Sequence, residues 1–136
     1  MIVRGLMVGA AFALAACSTG SGAARSFDDP AVQKLFAMPT AQYYATIQIA
    51  NRVAQNCARY RYDAILDAEL NERRNEVGRG SLSAGALRNA IEAETDVGQR
   101  SFMAKHGVEL TGADLCPAAD AETLEDSALS AMLVPV

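Results

Sequence analysis

The sequence predicts an all-α fold, a small antiparallel bundle of about four helices with a short helix ahead of them. Three observations predict it. Apolar residues recur at intervals of three and four in four separate stretches, the spacing that gathers them on one face of a helix. No stretch carries a strand-pairing signal, and no internal repeat appears. Ala supplies much of the apolar content and Trp is absent, which suits closely packed helices better than a wide aromatic-lined pocket.

The chain of 136 residues opens with Met1–Ala13, a run with one base, Arg4, and an almost wholly apolar remainder. Leu14-Ala15-Ala16-Cys17 follows. A basic start, an apolar middle and small residues at a cut have the shape of an export signal, and the run is too short to span a bilayer permanently. The quartet resembles the lipobox of bacterial lipoprotein precursors, over Met1 to about Thr19. That resemblance implies cleavage before Cys17, with lipid on its sulfur and on the new amino group. Ser18 after the cysteine, rather than Asp, resembles the pattern of lipoproteins sent to the outer membrane. The expected location is therefore the cell envelope, on the periplasmic face of the outer membrane, held by the anchor at Cys17. Residues 1–16 are expected to be the signal peptide, 17–28 a flexible tether and 29–136 the helical domain. Ser18 to Ser26 is mostly Ser, Thr, Gly and Ala, with a root-mean-square reach of roughly 15–18 Å.

Asp29-Pro30 predicts a helix start, with a capping carboxylate and Pro at the first helical position. Val32, Leu35 and Phe36 fall on one side, and Met38-Pro39 ends the piece. Thr40 is expected to cap the next helix, whose stripe is Tyr43, Ile47, Ala50, Ala54 and Cys57. Ala58–Tyr62 reads as a bend, although Arg59-Tyr60-Arg61-Tyr62 alternates in a way open to a strand. Asp63 then caps a helix to about Val77, with Tyr62, Leu66, Leu70 and Val77 inward and Gly78 and Gly80 stopping it. The longest helix opens at Ser81 or Ser83 and runs to His106, with Ala84, Leu87, Ile91, Thr95, Gly98 and Phe102 in a narrow arc. Gly98 inside that arc implies close contact with a facing helix, at Ala50 or Ala54, since a helix-interior glycine otherwise costs stability. Gly107 ends this helix. After a loop, Pro117 opens a fourth helix carrying Ala121, Leu124, Ala128 and Met132 inward. Val134-Pro135-Val136 is expected to fray.

With Cys17 lipidated, Cys57 and Cys116 remain, and in an oxidising compartment such a pair normally closes as a disulfide. A metal pair is disfavoured, because the chain has one His and no Cys-x-x-Cys. Cys57 at a helix end, His106-Gly107-Val108 closing a long helix, and Cys116 after a short loop are together similar to small exported bacterial helical proteins of unassigned function. That resemblance implies a fold and no activity.

Removal of residues 1–16 takes Arg4 and no acid, leaving 11 bases against 16 acids. A mildly acidic chain gives no reason to expect nucleic acid as a partner. Arg52, Arg59, Arg61, Arg73, Arg74 and Arg79 crowd the middle, while the charged residues after His106 are all acidic. No catalytic residue, cofactor or metal site is expected. His106 is read as a helix-terminal residue facing the last carbonyls. Ser83, in Ser81-Leu82-Ser83-Ala84-Gly85, lacks the first glycine of a nucleophile elbow. Glu92, Glu94 and Asp96 are near neighbours on one helix rather than carboxylates across a cleft; Glu94 borders the apolar stripe and, if buried, needs an Arg. Arg59, Tyr60, Arg61 and Tyr62 form the candidate interaction face, able to grip a polyanion or a lipid headgroup by charge and stacking. The expected role is structural or protein-interacting within the envelope, with an envelope protein as partner and no enzyme activity. The alternative is a ligand- or client-binding module of the holdase kind.

Overall fold

The structure is a computed structural model that describes residues 23–77 and 83–136; the expected signal peptide (residues 1–16), Cys17 and the glycines Gly78 and Gly80 lie outside the described residues. Its elements are α1 (Pro30–Ala37), α2 (Thr40–Gln55), β1 (Tyr60–Tyr62), α3 (Ala64–Glu76), α4 (Ala84–His106), α5 (Cys116–Leu124), a 3-10 turn (Leu129–Met132) and β2 (Leu133–Pro135). The fold is mostly helical, and it also contains a small two-stranded antiparallel sheet.

The helix starts follow local chemistry. Asp29 accepts from the backbone N–H of Ala31 and Val32, with Pro30 at the first position of α1. Asp63 accepts from the N–H of Leu66 and caps α3. Gly107 closes α4 in the left-handed region at φ 63°, donating to Met103, a conformation glycine adopts without a Cβ clash. Thr40, by contrast, is not a cap. It is the first residue of α2, and its hydroxyl receives Nη2 of Arg74 at 3.3 Å.

The hub is α2, which packs against α1, α4, α5, β1 and the 3-10 turn. Its buried residues are Tyr43, Ala45, Ile49, Ala50 and Val53, with Ile47 and Ala54 partly buried against the same core. In α3 the inner positions are Leu66, Leu70 and Arg74, whereas Val77 is 58% exposed. The guanidinium of Arg74 donates to the carbonyls of Phe36 and Met38 at 2.6 and 3.0 Å. It thereby satisfies acceptors at the end of α1 that have no partner in their own helix.

The largest departure lies at the C-terminus. The fourth helix stops at Leu124, which is 87% exposed, and the chain reverses through Asp126 at φ 47°. Ala128 and Met132 are buried as expected, but a 3-10 turn carries Met132. Val134 and Pro135 do not fray. Leu133 and Val134 are buried, and β2 pairs with β1 in the register Tyr60↔Pro135, Arg61↔Val134, Tyr62↔Leu133. Of the segment Ala58–Tyr62 read as a bend, Ala58 and Arg59 are a turn and Tyr60–Tyr62 is a strand. Two three-residue strands far apart in sequence leave no local pairing signal, and only the folded core brings them together.

Cys57 and Cys116 form a disulfide with their Cα atoms 4.8 Å apart. Beside it the N–H of Leu115 donates to the carbonyl of Asn56 at 3.0 Å, so the end of α2 and the start of α5 are joined twice.

The folded part begins before Pro30. The N–H of Ala24 donates to Asp63 Oδ2 at 2.9 Å, Arg25 pairs with Asp29 at 3.1 Å, and the Phe27 ring meets Phe36 edge-on at 5.0 Å. Within the span 17–28 expected to be a tether, residues 24–28 are docked on the domain.

Candidate interaction surface

Tyr60–Tyr62 form β1 and Arg59 lies in the turn before it, and most of the polar groups of this segment are engaged within the chain. Arg59 Nη2 lies 2.7 Å from Asp120 Oδ2, and the Tyr60 hydroxyl donates to Asp120 Oδ1 at 2.9 Å. The Tyr62 hydroxyl donates to Asp67 at 2.8 Å; burial, then this bond to a carboxylate, push the phenol well above its ordinary pKa. Arg61 is exposed. The basic middle and acidic end thus meet in part, through Arg59 and Asp120.

His106 is not spent on helix-end carbonyls. Its Nε2 lies 2.6 Å from Glu122 Oε1, and the Phe102 ring sits 4.6 Å away between centroids. Lys105 Nζ reaches the same Glu122 oxygen at 2.9 Å and Glu125 at 2.6 Å. Burial works to raise the Glu122 pKa, but hydrogen bonds from Ser127, Lys105 and His106 outweigh it and hold the carboxyl below its ordinary value. The carboxylate is thus held by donors from α4 and from the turn after α5, as a structural tie. Glu122 was not among the candidate site residues read from the sequence. The signal for burial was its position three and four residues after Ala119 and Ala118, both buried.

Ser83 precedes α4 and makes no side-chain cap bond. Glu94 is half-buried, yet no arginine pairs with it among the described residues; instead it lines a crevice with Gln42, Ala45 and Val97. Asp114 lies with Cys57 and Cys116, but both sulfurs are spent in the disulfide, and Asp114 accepts from the N–H of Cys116 at 2.9 Å.

The surface with an unfilled chemistry lies on α4. Its only fully buried residue is Phe102. Gly98 marks the close approach to α2, though the neighbour is Ile49 rather than Ala50 or Ala54: a Cβ at Gly98 would stand 2.8 Å from Ile49 Cδ1. Upstream of that crossing, Leu87, Ile91 and Thr95 line an open, mostly apolar groove of about 540 Å³, with Gln48 of α2 and the charged Arg88 and Glu92 beside it. The arc Ala84 to Phe102 was legible from spacing. That no element among the described residues covers its first half was not, because periodicity reports a face and not what packs on it.

A mostly helical domain closed by a disulfide, with one amphipathic helix half covered, is the class of protein these features define. Comparison with family models, with curated proteins and with solved structures finds no match.

Proposed function

We propose that this chain is a lipid-anchored protein of the cell envelope whose folded domain serves as a protein-interaction module through the first half of α4. The observation that carries the interaction role is the groove along Leu87, Ile91 and Thr95. A helix that leaves its apolar stripe half exposed has burial still to gain from a partner. The anchor at Cys17 is supported by the lipobox pattern, and export by the Cys57–Cys116 disulfide, which persists in oxidising compartments. Among the described residues no helix is long and apolar enough to cross a membrane, and two or more acyl chains suffice for stable attachment. The Arg59–Tyr62 face is the weaker candidate, since Arg59, Tyr60 and Tyr62 already bond within the chain.

Two experiments test this reading. Cys17→Ala in the full chain is expected to shift the protein from the membrane to the soluble fraction or to block processing; a wild-type product without lipid by mass spectrometry sinks the anchor. A photo-reactive residue at exposed Ala84 in intact cells is expected to give a discrete adduct, while one at exposed Glu72 on α3 gives none. Equal labelling from both positions sinks the interaction surface.

The same mostly apolar lining supports a second reading, a ligand- or client-binding module. Binding of a hydrophobic dye to the folded protein, abolished by Ile91→Glu, is its expected signature.

A further inference from the structure

Between Ala84 and Gln99 no residue of α4 is fully buried, and two features of this stretch bear on what covers it. Leu87 and Ile91 give an apolar seam one turn long. Arg88 and Glu92 flank it one turn apart, and neither makes an ion pair among the described residues, whereas Asp96 is already paired with Arg100 at 2.6 Å. Arginine ahead of glutamate by four is the weaker order for a pair within one helix, so both charges remain available to another chain.

We infer that this face is covered by a second copy of the chain, with the two α4 helices packed antiparallel about a two-fold axis near Asn89 and Ala90. The inference rests on the reading of the α4 face as the interaction surface and adds what binds there. A two-fold interface sets one patch against itself. With the axis at that position, Leu87 of each copy meets Ile91 of the other, and Arg88 of each lies beside Glu92 of the other. The result is two reciprocal ion pairs along one apolar seam, the pattern by which flanking charges set orientation in paired helices. A parallel pair leaves Arg88 and Glu92 a turn out of step, so the charges favour the antiparallel form. Ala84 and Ala90, with their small side chains, let the two backbones approach.

The test uses two differently tagged full-length copies expressed together, one recovered by its tag. Wild-type copies are expected to co-purify. Arg88→Glu in both copies, or Glu92→Arg in both, is expected to lower recovery about tenfold, because each sets like charges together at both contacts. Arg88→Glu in one copy with Glu92→Arg in the other is expected to restore it, since every contact then joins unlike charges. A variant that fails to fold cannot be rescued in that way. Wild-type copies that do not co-purify, single reversals that behave as wild type, or a mixed pair that stays apart each overturn the second copy. The photo-reactive residue at Ala84 separates the two levels of the argument. An adduct of twice the chain mass supports the inference. An adduct with a different protein overturns it and leaves the α4 face as an interaction surface, and no adduct at all overturns both.

Discussion

Nε2 of His106 lies 2.6 Å from Oε1 of Glu122, and only 8% and 7% of the two side chains are exposed. With Lys105 on the same oxygen, this carboxylate ties the last turn of α4 to α5. Removing one member of a buried charged cluster leaves the others uncompensated. Glu122→Gln keeps the shape and is expected to lower stability by about 1–3 kcal/mol near neutral pH. The Glu122 carboxyl is held below its ordinary value of 4.5, so the unfolded chain binds the proton more readily than the folded one. The contribution is therefore fully present above that value and is lost as pH falls through the lower folded pKa. Denaturant unfolding of both proteins should show the difference shrinking on acidification; a gap that stays constant down to about pH 3 argues against this account.

Gly98 stands where α4 meets α2, with Ile49 Cδ1 2.8 Å from the place of a Cβ. The δ-methyl is the far end of a flexible side chain, so Gly98→Ala can be met by a rotation of Ile49. The expected net change is within about 1 kcal/mol, because the helix-propensity gain offsets the repacking. Gly98→Val adds bulk that one rotation does not clear and should cost about 1–3 kcal/mol. Combining Gly98→Ala with Ile49→Val removes the clashing carbon and should yield a less destabilised protein than Ile49→Val alone. Equal unfolding midpoints for Gly98→Val and wild type would falsify the close approach.

Asp63 is 1% exposed and makes two bonds of different reach. One oxygen caps α3 at Leu66 N, and the other holds Ala24 N at 2.9 Å. Asp63→Ala is expected to cost about 1–2 kcal/mol through the cap. It should also free the segment before α1, so that trypsin cuts after Arg25 faster than in the wild type. Unchanged cleavage at that bond would show that Phe27 and the Arg25–Asp29 pair hold the segment unaided.

The Cys57–Cys116 disulfide closes a loop of 59 residues in sequence separation. The chain-entropy model assigns such a loop about 4 kcal/mol, a large share of the roughly 5–10 kcal/mol of a domain this size. Cys57→Ser with Cys116→Ser should therefore lower the unfolding free energy by several kcal/mol without changing the helical content of whatever remains folded. A melting temperature unmoved by reductant would mean that the Leu115–Asn56 backbone bond and the core suffice.

The C-terminal strand makes a separate claim. Leu133 is fully buried, Val134 nearly so, and Val136 N donates to Arg59 O at 3.0 Å. Deleting residues 133–136 removes the partner of β1 and two core side chains, at an expected cost of about 3–5 kcal/mol. An extension beyond Val136, whose side chain is mostly exposed, should be tolerated. Near-equal stability of the truncated and full chains would return these residues to the status of a loose end.

Local chemistry in the sequence determined the parts of this protein that depend on neighbours within one or two turns. Asp29-Pro30, Asp63 and Gly107 mark helix ends because capping is settled by backbone groups three or four residues away. The stripes of α2 and α4 were legible because a helix repeats every 3.6 residues whatever surrounds it. The pairing of Cys57 with Cys116 was legible once Cys17 was set aside. The tertiary structure alone decided what required distant segments to meet. β1 exists because β2 reaches it from the other end of the chain, and Arg74 is buried because the carbonyls ending α1 lie beside it. Glu122 is a buried carboxylate because Lys105 and His106 arrive with α4. The half-covered groove along Leu87 and Ile91 belongs to the same class. Spacing puts those side chains on one face, but whether a face is covered depends on how the other helices divide a limited core among themselves.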